Sequence, residues 1–494
     1  MAPEVKGGLI TAGIALVVGA FALGNSLVGV FYDDGLYAGL ATALASGMGY
    51  VHPHIPGAPA AVHYPPLYPV VLTPLYGLLP VTTAGFVAKV LNLLLAASGA
   101  GLIAWHAMRT QLLGATAPRW LALAIVAAAA IAIPVLATQS VLFAEPLFGV
   151  LVATVIIAAD RGRVPWITGT AAALAFLTRS IAVALMAGVV CSLIARRPPL
   201  RTWVALLLPL AVGALGWGIW VGTHARELVP ALALGYGTYA EPLRQAGLSA
   251  LAANVPDLSR PLEVLVFGWV SVRWAYAVLA TVSLGIGLYG LAVVSRRSAI
   301  GWSLMFYLLI LAAWPYPPDR FIWVVLPWLG LTWAAGGVEI WRRWPRARVP
   351  LGFVAALVTV GFLHYETRGF AGRWWQTQAR AISANFAELL PVVATLPPTA
   401  VVATDDDPLV WLYTRRLSVP FHIERYSGGD FVPLTAPEHR AYLERMGVTH
   451  VLLASASSPS ARELRGLMVA YPTWFTGVYR WSGGRWLFVV NRGD

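Results

Sequence analysis

Two adjacent carboxylates, Asp33 and Asp34, follow the first long apolar segment of the chain, in the run Phe31-Tyr32-Asp33-Asp34-Gly35-Leu36-Tyr37. A carboxylate beside an open cleft, held in direction by its neighbours, is suited to act as a general base on an acceptor hydroxyl. The plainer reading is a helix cap, and Asp34-Gly35 fits that. Two acidic residues flanked by aromatics exceed what a cap needs, and Asp33 is the stronger candidate base. The stretch continues as a short helix to about Met48 and closes with His63-Tyr64-Pro65-Pro66-Leu67-Tyr68-Pro69. Its prolines fix an extended, rigid path. His63, Tyr64 and Tyr68 are candidates for substrate binding, while Tyr64, Tyr68 and Tyr76 would also serve as an interfacial aromatic belt. His52, His54 and His63, taken with the Asp pair, raise a divalent metal as an alternative, but their spacing matches no zinc pattern.

The rest of the chain is built for a membrane. Of its 494 residues 58% are hydrophobic and 11% charged, and the mean hydropathy is +0.71, outside the usual range of soluble domains. The net charge of +12 would suit nucleic acid. The basic residues, however, fall in short clusters between apolar segments, the arrangement that faces the cytoplasm and sets topology, so no nucleic-acid partner is expected. The single cysteine, Cys191, lies in an apolar run and supports no disulfide framework. Only Lys6 precedes the first apolar run, and no small-residue cleavage site follows, so that run reads as a retained span.

A crossing takes ~20 apolar residues. Candidate segments are 8–30, 83–106, 120–137, 141–159, 166–177, 181–195, 203–223, 274–295, 300–314, 321–337 and 349–365, which makes about 11 transmembrane helices. The fifth and sixth are short, are joined by Thr178-Arg179-Ser180, and suit a broken hairpin that does not fully cross. With the N-terminus cytoplasmic, every short basic connection lies inside: Arg109 and Arg119, Arg161 and Arg163, Arg196 to Arg201, Arg296 and Arg297, and Arg342 to Arg348. The first loop 31–69, the Thr138-Gln139-Ser140 turn, Arg179, the loop 223–273, the Pro315-Tyr316-Pro317-Pro318-Asp319-Arg320 loop and the tail then share the extracytoplasmic face.

After about Gly369 the composition becomes that of a soluble domain. Helices are expected over 379–390 and 437–446, and strands over 400–404, 448–453 and 486–490, a small α/β layer. The expected architecture is therefore a polytopic α-helical membrane protein of residues 1–368 followed by a small C-terminal α/β extracytoplasmic domain of residues 369–494. No long internal repeat is evident, which argues mildly against a transporter made of duplicated halves.

A first span, an Asp-Asp pair, a short helix and the Tyr-Pro-Pro-Leu-Tyr-Pro loop together resemble the GT-C class of membrane glycosyltransferases. More narrowly, they are similar to the bacterial branch related to protein O-mannosyltransferases and the aminoarabinose transferase of lipid A. Two further stretches carry the likeness: Ala175-Phe176-Leu177-Thr178-Arg179, and Asp319-Arg320-Phe321 leading to Leu326-Pro327-Trp328. It covers roughly residues 8–365. Trp374-Trp375 is followed by Gln376, so the Trp-Trp-Asp motif of the oligosaccharyltransferase type is not met there.

The resemblance implies a GT-C fold and inverting transfer of one sugar from a polyprenyl-phosphate donor, with the base in the first loop. The lipid phosphate leaves, and it needs cationic stabilisation at the outer boundary. Lys89, Arg320 and Arg179 are the expected donor-phosphate ligands, since an arginine can hold phosphate oxygens bidentately. Their plainer readings are snorkelling for Lys89, a pair with Asp319 for Arg320 and a hairpin cap for Arg179. Glu145, ahead of Pro146 in the outer part of an apolar segment, is costly to keep. It is expected to bind acceptor, orient the sugar or help hold a metal, with a structural hydrogen bond as the alternative.

His224, Arg226, Glu227, Tyr236, Tyr239 and Glu241 mark 223–273 as a candidate substrate gate with an amphipathic stretch. Asp405-Asp406-Asp407 lacks the ligand spacing of a calcium loop and reads as a turn. The tail aromatics Trp411, Tyr413, Trp474, Trp481 and Trp486 suit a small core or a glycan. The expected protein is a cell-envelope glycosyltransferase of the inner (plasma) membrane with a lipid, glycan or protein acceptor. No cofactor is certain, and a divalent metal stays open. The rival is a transporter or flippase for a lipid-linked or anionic substrate, which would place its polar residues near the bilayer midplane.

Overall fold

The computed structural model describes residues 1–494 except 163, 195, 247–248, 315, 428–429 and 492–494. Arg163, Ala195 and Pro315, and the side chain of Glu241, thus lie outside the described residues. The chain opens with α1 (Pro3–Ala22), α2 (Asp33–Ala45), α3 (Leu67–Leu78) and α4 (Val81–Arg109). Helices α5 (Arg119–Ala130) and α6 (Ile133–Ser140) form one apolar run bent by 52°. Pro134 sits in the first turn of α6, and the Glu366 carboxylate accepts the Ile133 N–H freed by the break, at 3.2 Å. Thr138, Gln139 and Ser140, expected as a turn, instead close this helix.

Next come α7 (Glu145–Arg161), α8 (Pro165–Thr178), α9 (Val183–Ile194) and α10 (Leu200–His224). A long connection carries four short helices, α11 (Ala233–Tyr236), α12 (Ala240–Ala246), α13 (Ser249–Asp257) and α14 (Arg260–Leu262). It leads to α15 (Arg273–Val294), α16 (Ala299–Ala312), α17 (Asp319–Arg343), α18 (Arg348–Gly372) and α19 (Trp374–Ala394). The composition change near 368/369 falls inside α18.

Among the described residues six helices are long and apolar enough to cross a membrane, or up to seven with the bent pair as one span; α3, Pro165–Thr178, Ser180–Ile194 and α16 are apolar but shorter. The chain is a membrane protein. On α10, Leu208, Leu215 and Ile219 are all more than half exposed, as expected of a surface solvated by lipid tails. Inside the bundle the helices approach closely: a Cβ on Gly290 of α15 would overlap the Thr332 carbonyl of α17.

The connections α4–α5, α7–α8, α15–α16 and α17–α18 gather at one end. There His106 Nε2 meets Asp160 at 2.9 Å, Asp160 accepts the Ala299 N–H at 2.8 Å, and Arg297 reaches the Leu112 carbonyl at 3.1 Å. Arg161 lies 4.7 Å over Trp105, and Glu339 pairs with Arg342 at 2.6 Å.

The opposite end carries the first loop and an α/β layer. This layer comprises β1 (Val401–Thr404), α20 (Asp407–Thr414), β2 (Leu417–Pro420), the hairpin β3 (Glu424–Ser427) and β4 (Asp430–Pro433), α21 (Ala436–Arg445), β5 (His450–Leu453), α22 (Pro459–Ala470), β6 (Phe475–Arg480) and β7 (Trp486–Val490). Five strands form a sheet in the order β2-β1-β5-β7-β6. The first three are parallel, with Val402 opposite Ser418 and Ala403 opposite Val451, and β7 runs antiparallel to β5 and β6. A Thr435–Glu438 capping box starts α21. Asp407 opens α20 instead of belonging to a turn. One apolar core unites Tyr37, Tyr64 and Tyr68 of the first loop, Leu232 and Tyr236 of the long connection, and Val401, Trp411 and Phe421 of the α/β layer.

Candidate active site

Helix α2 begins just after Tyr32, whose φ of +63° turns the chain sharply. Asp34 ties this turn. Its two oxygens accept the N–H groups of Gly29 at 2.8 Å and Phe31 at 2.9 Å, and its charge also suits a helix N-terminus. Gly29, at φ +101°, presses against Leu409 of α20, and a Cβ there would come within 2.6 Å of the leucine. Burial pushes the Asp34 carboxyl up to about 6, against the pull of the two amides and Lys89. Both oxygens are committed and none of the side chain is exposed. Asp34 thus braces the turn that precedes α2, while Asp33 beside it faces the cations.

Asp33 makes different partners. Its Oδ1 accepts the Tyr64 hydroxyl at 2.7 Å and its Oδ2 accepts Arg320 Nη2 at 2.6 Å. Burial alone would raise its pKa, but the charges of Arg320 and Arg179 and the two hydrogen bonds outweigh that and hold it below the usual carboxylate range. Arg320, the second residue of α17, also lies 4.7 Å over the Phe143 ring. It is not paired with Asp319, which faces Arg260 at 3.6 Å.

Beside this pair, Arg179 at the end of α8 donates to Glu145 Oε1 at 2.6 Å, with both side chains buried. Glu145 opens α7 with Pro146 behind it, where a negative charge and a missing N–H are both tolerated. Among the described residues Glu145 Oε2 and Arg179 Nε have no hydrogen-bond partner, so each retains capacity for a ligand. Arg179 lies 5.1 Å over Phe321.

A cavity of about 20 Å³ is lined by Tyr64, Arg179, Ser180, Tyr239, Trp314 and Phe321. That is room for roughly one water, against the ~300 Å³ or more of an ordinary ligand pocket. Aromatic rings roof it: Tyr239 stands 4.8 Å from Trp314 and 6.1 Å from Tyr316. His63 supports the roof from below, donating from Nδ1 to the Gly237 carbonyl at 2.6 Å, with its ring 4.2 Å from Tyr239. Burial pushes the His63 imidazole down to about 4, so it is neutral at ordinary pH.

Lys89, Tyr68 and the histidines have the following surroundings. Lys89 is buried and donates to Ser26 O at 2.7 Å, Ser26 Oγ at 3.0 Å and Gly24 O at 3.3 Å. It clasps the segment after α1 through these three contacts. Tyr68 is fully buried and donates to Asn92 Oδ1 at 3.0 Å, a packing role. Among the described residues no group of three or more His, Cys, Asp or Glu is placed to hold a metal ion. Tyr37, Phe143, Trp314 and Phe321 were not legible as neighbours of the site. For Tyr37 a signal existed, since it lies four residues after Asp33 on one helical face. Its hydroxyl is buried without a partner and its ring stands edge-on to Tyr64 and Tyr68.

No protein-family model matches the chain, and no curated protein matches it. Among solved structures it is similar to the archaeal oligosaccharyltransferase AglB from Archaeoglobus fulgidus in complex with an inhibitory peptide and a dolichol-phosphate. The TM-score is 0.51 at 13% identity, covering 98% of this chain and 74% of that one. A crystal structure of the Archaeoglobus fulgidus oligosaccharyltransferase tethered with an acceptor peptide gives a TM-score of 0.50 at 12% identity, covering 99% and 74%. At such identity the likeness concerns the fold alone.

Proposed function

We propose that the chain is an inverting glycosyltransferase that moves a single sugar from a polyprenyl-phosphate donor to an acceptor hydroxyl on the extracytoplasmic face. The observation that carries this reading is the pairing of Asp33 with Arg320 beside the buried Arg179–Glu145 pair. One carboxylate there can take a proton, and two guanidinium groups can turn to a phosphate. As the acceptor oxygen bonds to the anomeric carbon, its proton passes to Asp33. The bond from that carbon to the phosphate oxygen breaks, and polyprenyl phosphate leaves with the electron pair. Arriving donor draws Arg320 from Asp33, which strengthens the base when it is needed and neutralises the leaving group. Glu145, through its free oxygen, orients the sugar. Tyr64 keeps Asp33 aimed, and the Tyr239–Trp314 roof lifts to admit the donor.

The remaining architecture follows from this. The N-terminus is cytoplasmic, the protein lies in the inner membrane, and residues 1–368 form the catalytic part with 369–494 outside. Counting α7, α8, α9 and α16 as crossings beside the six long helices and the bent pair gives about 11 spans. The acceptor is a lipid, a glycan or a protein. Dolichol-phosphate and acceptor peptide at the similar oligosaccharyltransferase are in keeping with a lipid-linked donor. The site residues stand at the ends of α2, α7, α8 and α17 and not along the spans, which favours boundary chemistry over passage.

The test is release of polyprenyl phosphate from labelled polyprenyl-phosphate sugars by purified, detergent-solubilised protein. Cleavage that depends on added acceptor alcohol supports the reading. Movement of intact lipid-linked sugar across vesicles without cleavage would replace it with the transporter.

A further inference from the structure

The α/β layer meets the membrane site through one buried polar knot that the transfer chemistry does not use. Asp407, the first residue of α20, is fully buried; its Oδ2 accepts the Tyr236 hydroxyl at 2.5 Å and lies 3.2 Å from His54 Nε2. His54 Nε2 is also 3.0 Å from the Tyr236 hydroxyl. The three residues come from the α/β layer, the long connection and the first loop, 171 positions separating Tyr236 from Asp407 and 182 separating His54 from Tyr236. Backbone contacts reinforce the junction: Ser418 N–H donates to the His54 carbonyl at 2.8 Å, and Ser418 Oγ donates to the Asp407 carbonyl at 2.6 Å.

From this knot two short paths lead to Asp33. Tyr236 packs edge-on to Tyr32, the residue before Asp33, with ring centres 5.9 Å apart. Tyr236 also precedes Gly237, whose carbonyl holds His63, and His63 adjoins Tyr64, the hydroxyl donor to Asp33. The roof residue Tyr239 lies three positions beyond Tyr236.

We propose that Asp407 is a positioning residue: from the α/β layer it pins Tyr236 and His54, and so holds the 230–239 roof and the first loop in register over Asp33. This deepens the functional reading above by giving the C-terminal layer a task in the same site. The energetics suit a latch. A buried hydrogen bond to a charged group is worth enough to matter, yet one such contact can be broken without unfolding a domain.

The test uses the full chain with Cys191→Ser, so that an added thiol is unique. Leu232→Cys places that thiol in the roof segment at a position only 1% exposed, where a membrane-impermeant maleimide reaches it only when the segment lifts. Asp407→Asn should raise the labelling rate about tenfold, the ratio that ~1.4 kcal/mol of lost closure gives. Tyr236→Phe keeps the ring packing and removes only the hydroxyl, so it covers the case in which Asp407→Asn folds poorly; it should raise labelling at least about threefold. The two together should add little, because they break the same contact.

Glu388→Ala, which removes an exposed pair with Arg485 in the same layer, should leave labelling unchanged. Rates within about twofold of the parent in both knot variants, or an equal rise in Glu388→Ala, would overturn the proposal. In transfer assays Asp407→Asn should lower kcat/KM while the acid limb of the pH profile stays put, since the partners of Asp33 are intact. A shifted limb would mean that Asp407 acts on the base itself and would also overturn it. Labelling needs no turnover, so an absence of transferase activity would sink the functional reading and leave this test standing.

Discussion

Replacing Arg320 with glutamine should move two observables in directions that follow from its place beside Asp33. The pair is 2.6 Å long, and the arginine side chain is 38% exposed. A hydrogen bond between charged groups contributes ~1.5–3 kcal/mol, and solvent screening of the exposed partner favours the lower end. At ~1.4 kcal/mol per pKa unit, removing Arg320 should raise the Asp33 pKa by about one unit. The sign is fixed: Arg320 and Arg179 hold Asp33 below the usual range, and only the ionised base works. Activity is lost as pH falls through that pKa, so the acid limb of kcat/KM should move about one unit to higher pH. Near neutral pH the base is ionised in both forms, and the loss of one cation at the leaving phosphate should cost ~100-fold in rate. The assay is turnover of a labelled polyprenyl-phosphate sugar across a pH series. A wild-type rate with an unmoved limb would refute the reasoning, as would a limb displaced downward.

The buried Arg179–Glu145 pair should respond asymmetrically. Arg179→Met leaves a carboxylate without its partner and should cost ~3–5 kcal/mol, read as a lowered Tm, whereas adding Glu145→Leu should recover Tm but not activity. Lys89→Met should lower Tm by stranding the Ser26 and Gly24 carbonyls, yet leave the donor KM within about twofold; a large KM rise would return Lys89 to the phosphate. Asp406, half-buried at the end of β1, is pushed up to about 8 by burial and by Asp405, Asp407 and Asp34. Because its folded pKa is raised, its stability contribution is full below the usual carboxylate pKa of ~3.9 and disappears as pH rises through about 8. Wild type should therefore lose Tm progressively as pH rises from the usual carboxylate pKa of ~3.9 to about 8, and Asp406→Asn should flatten that loss.

How much of this was readable in advance depends on whether the signal was local. Asp33, Tyr64 and the proline loop are close in sequence, and they meet in the structure through one hydrogen bond. The contacts of Asp34 are local too, but they reach back to the Gly29 and Phe31 amides and are not those of a helix cap. Arg320 stands 287 residues from Asp33, so no spacing rule could join them; only its place after a rigid proline segment hinted at a fixed position. The partners of Lys89 were not legible, because they are carbonyls of a loop that has no pattern of its own. Span counting met the same limit: α8 and α16 are 14 residues each and α9 only 12, lengths for which apolar composition does not separate crossing from burial. In the tail, the strands over 400–404, 448–453 and 486–490 were legible because each is apolar and lies in the sheet. The strands β2, β3, β4 and β6 were not, being short or largely exposed.

The measurement closest to the heart of the account is the turnover of Asp33→Asn set beside its affinity for a polyprenyl-phosphate sugar. Asparagine keeps the shape but cannot take a proton, so transfer should fall to background while donor affinity and Tm stay near those of the parent. Near-native transfer by Asp33→Asn, even when combined with Asp34→Asn, would contradict it.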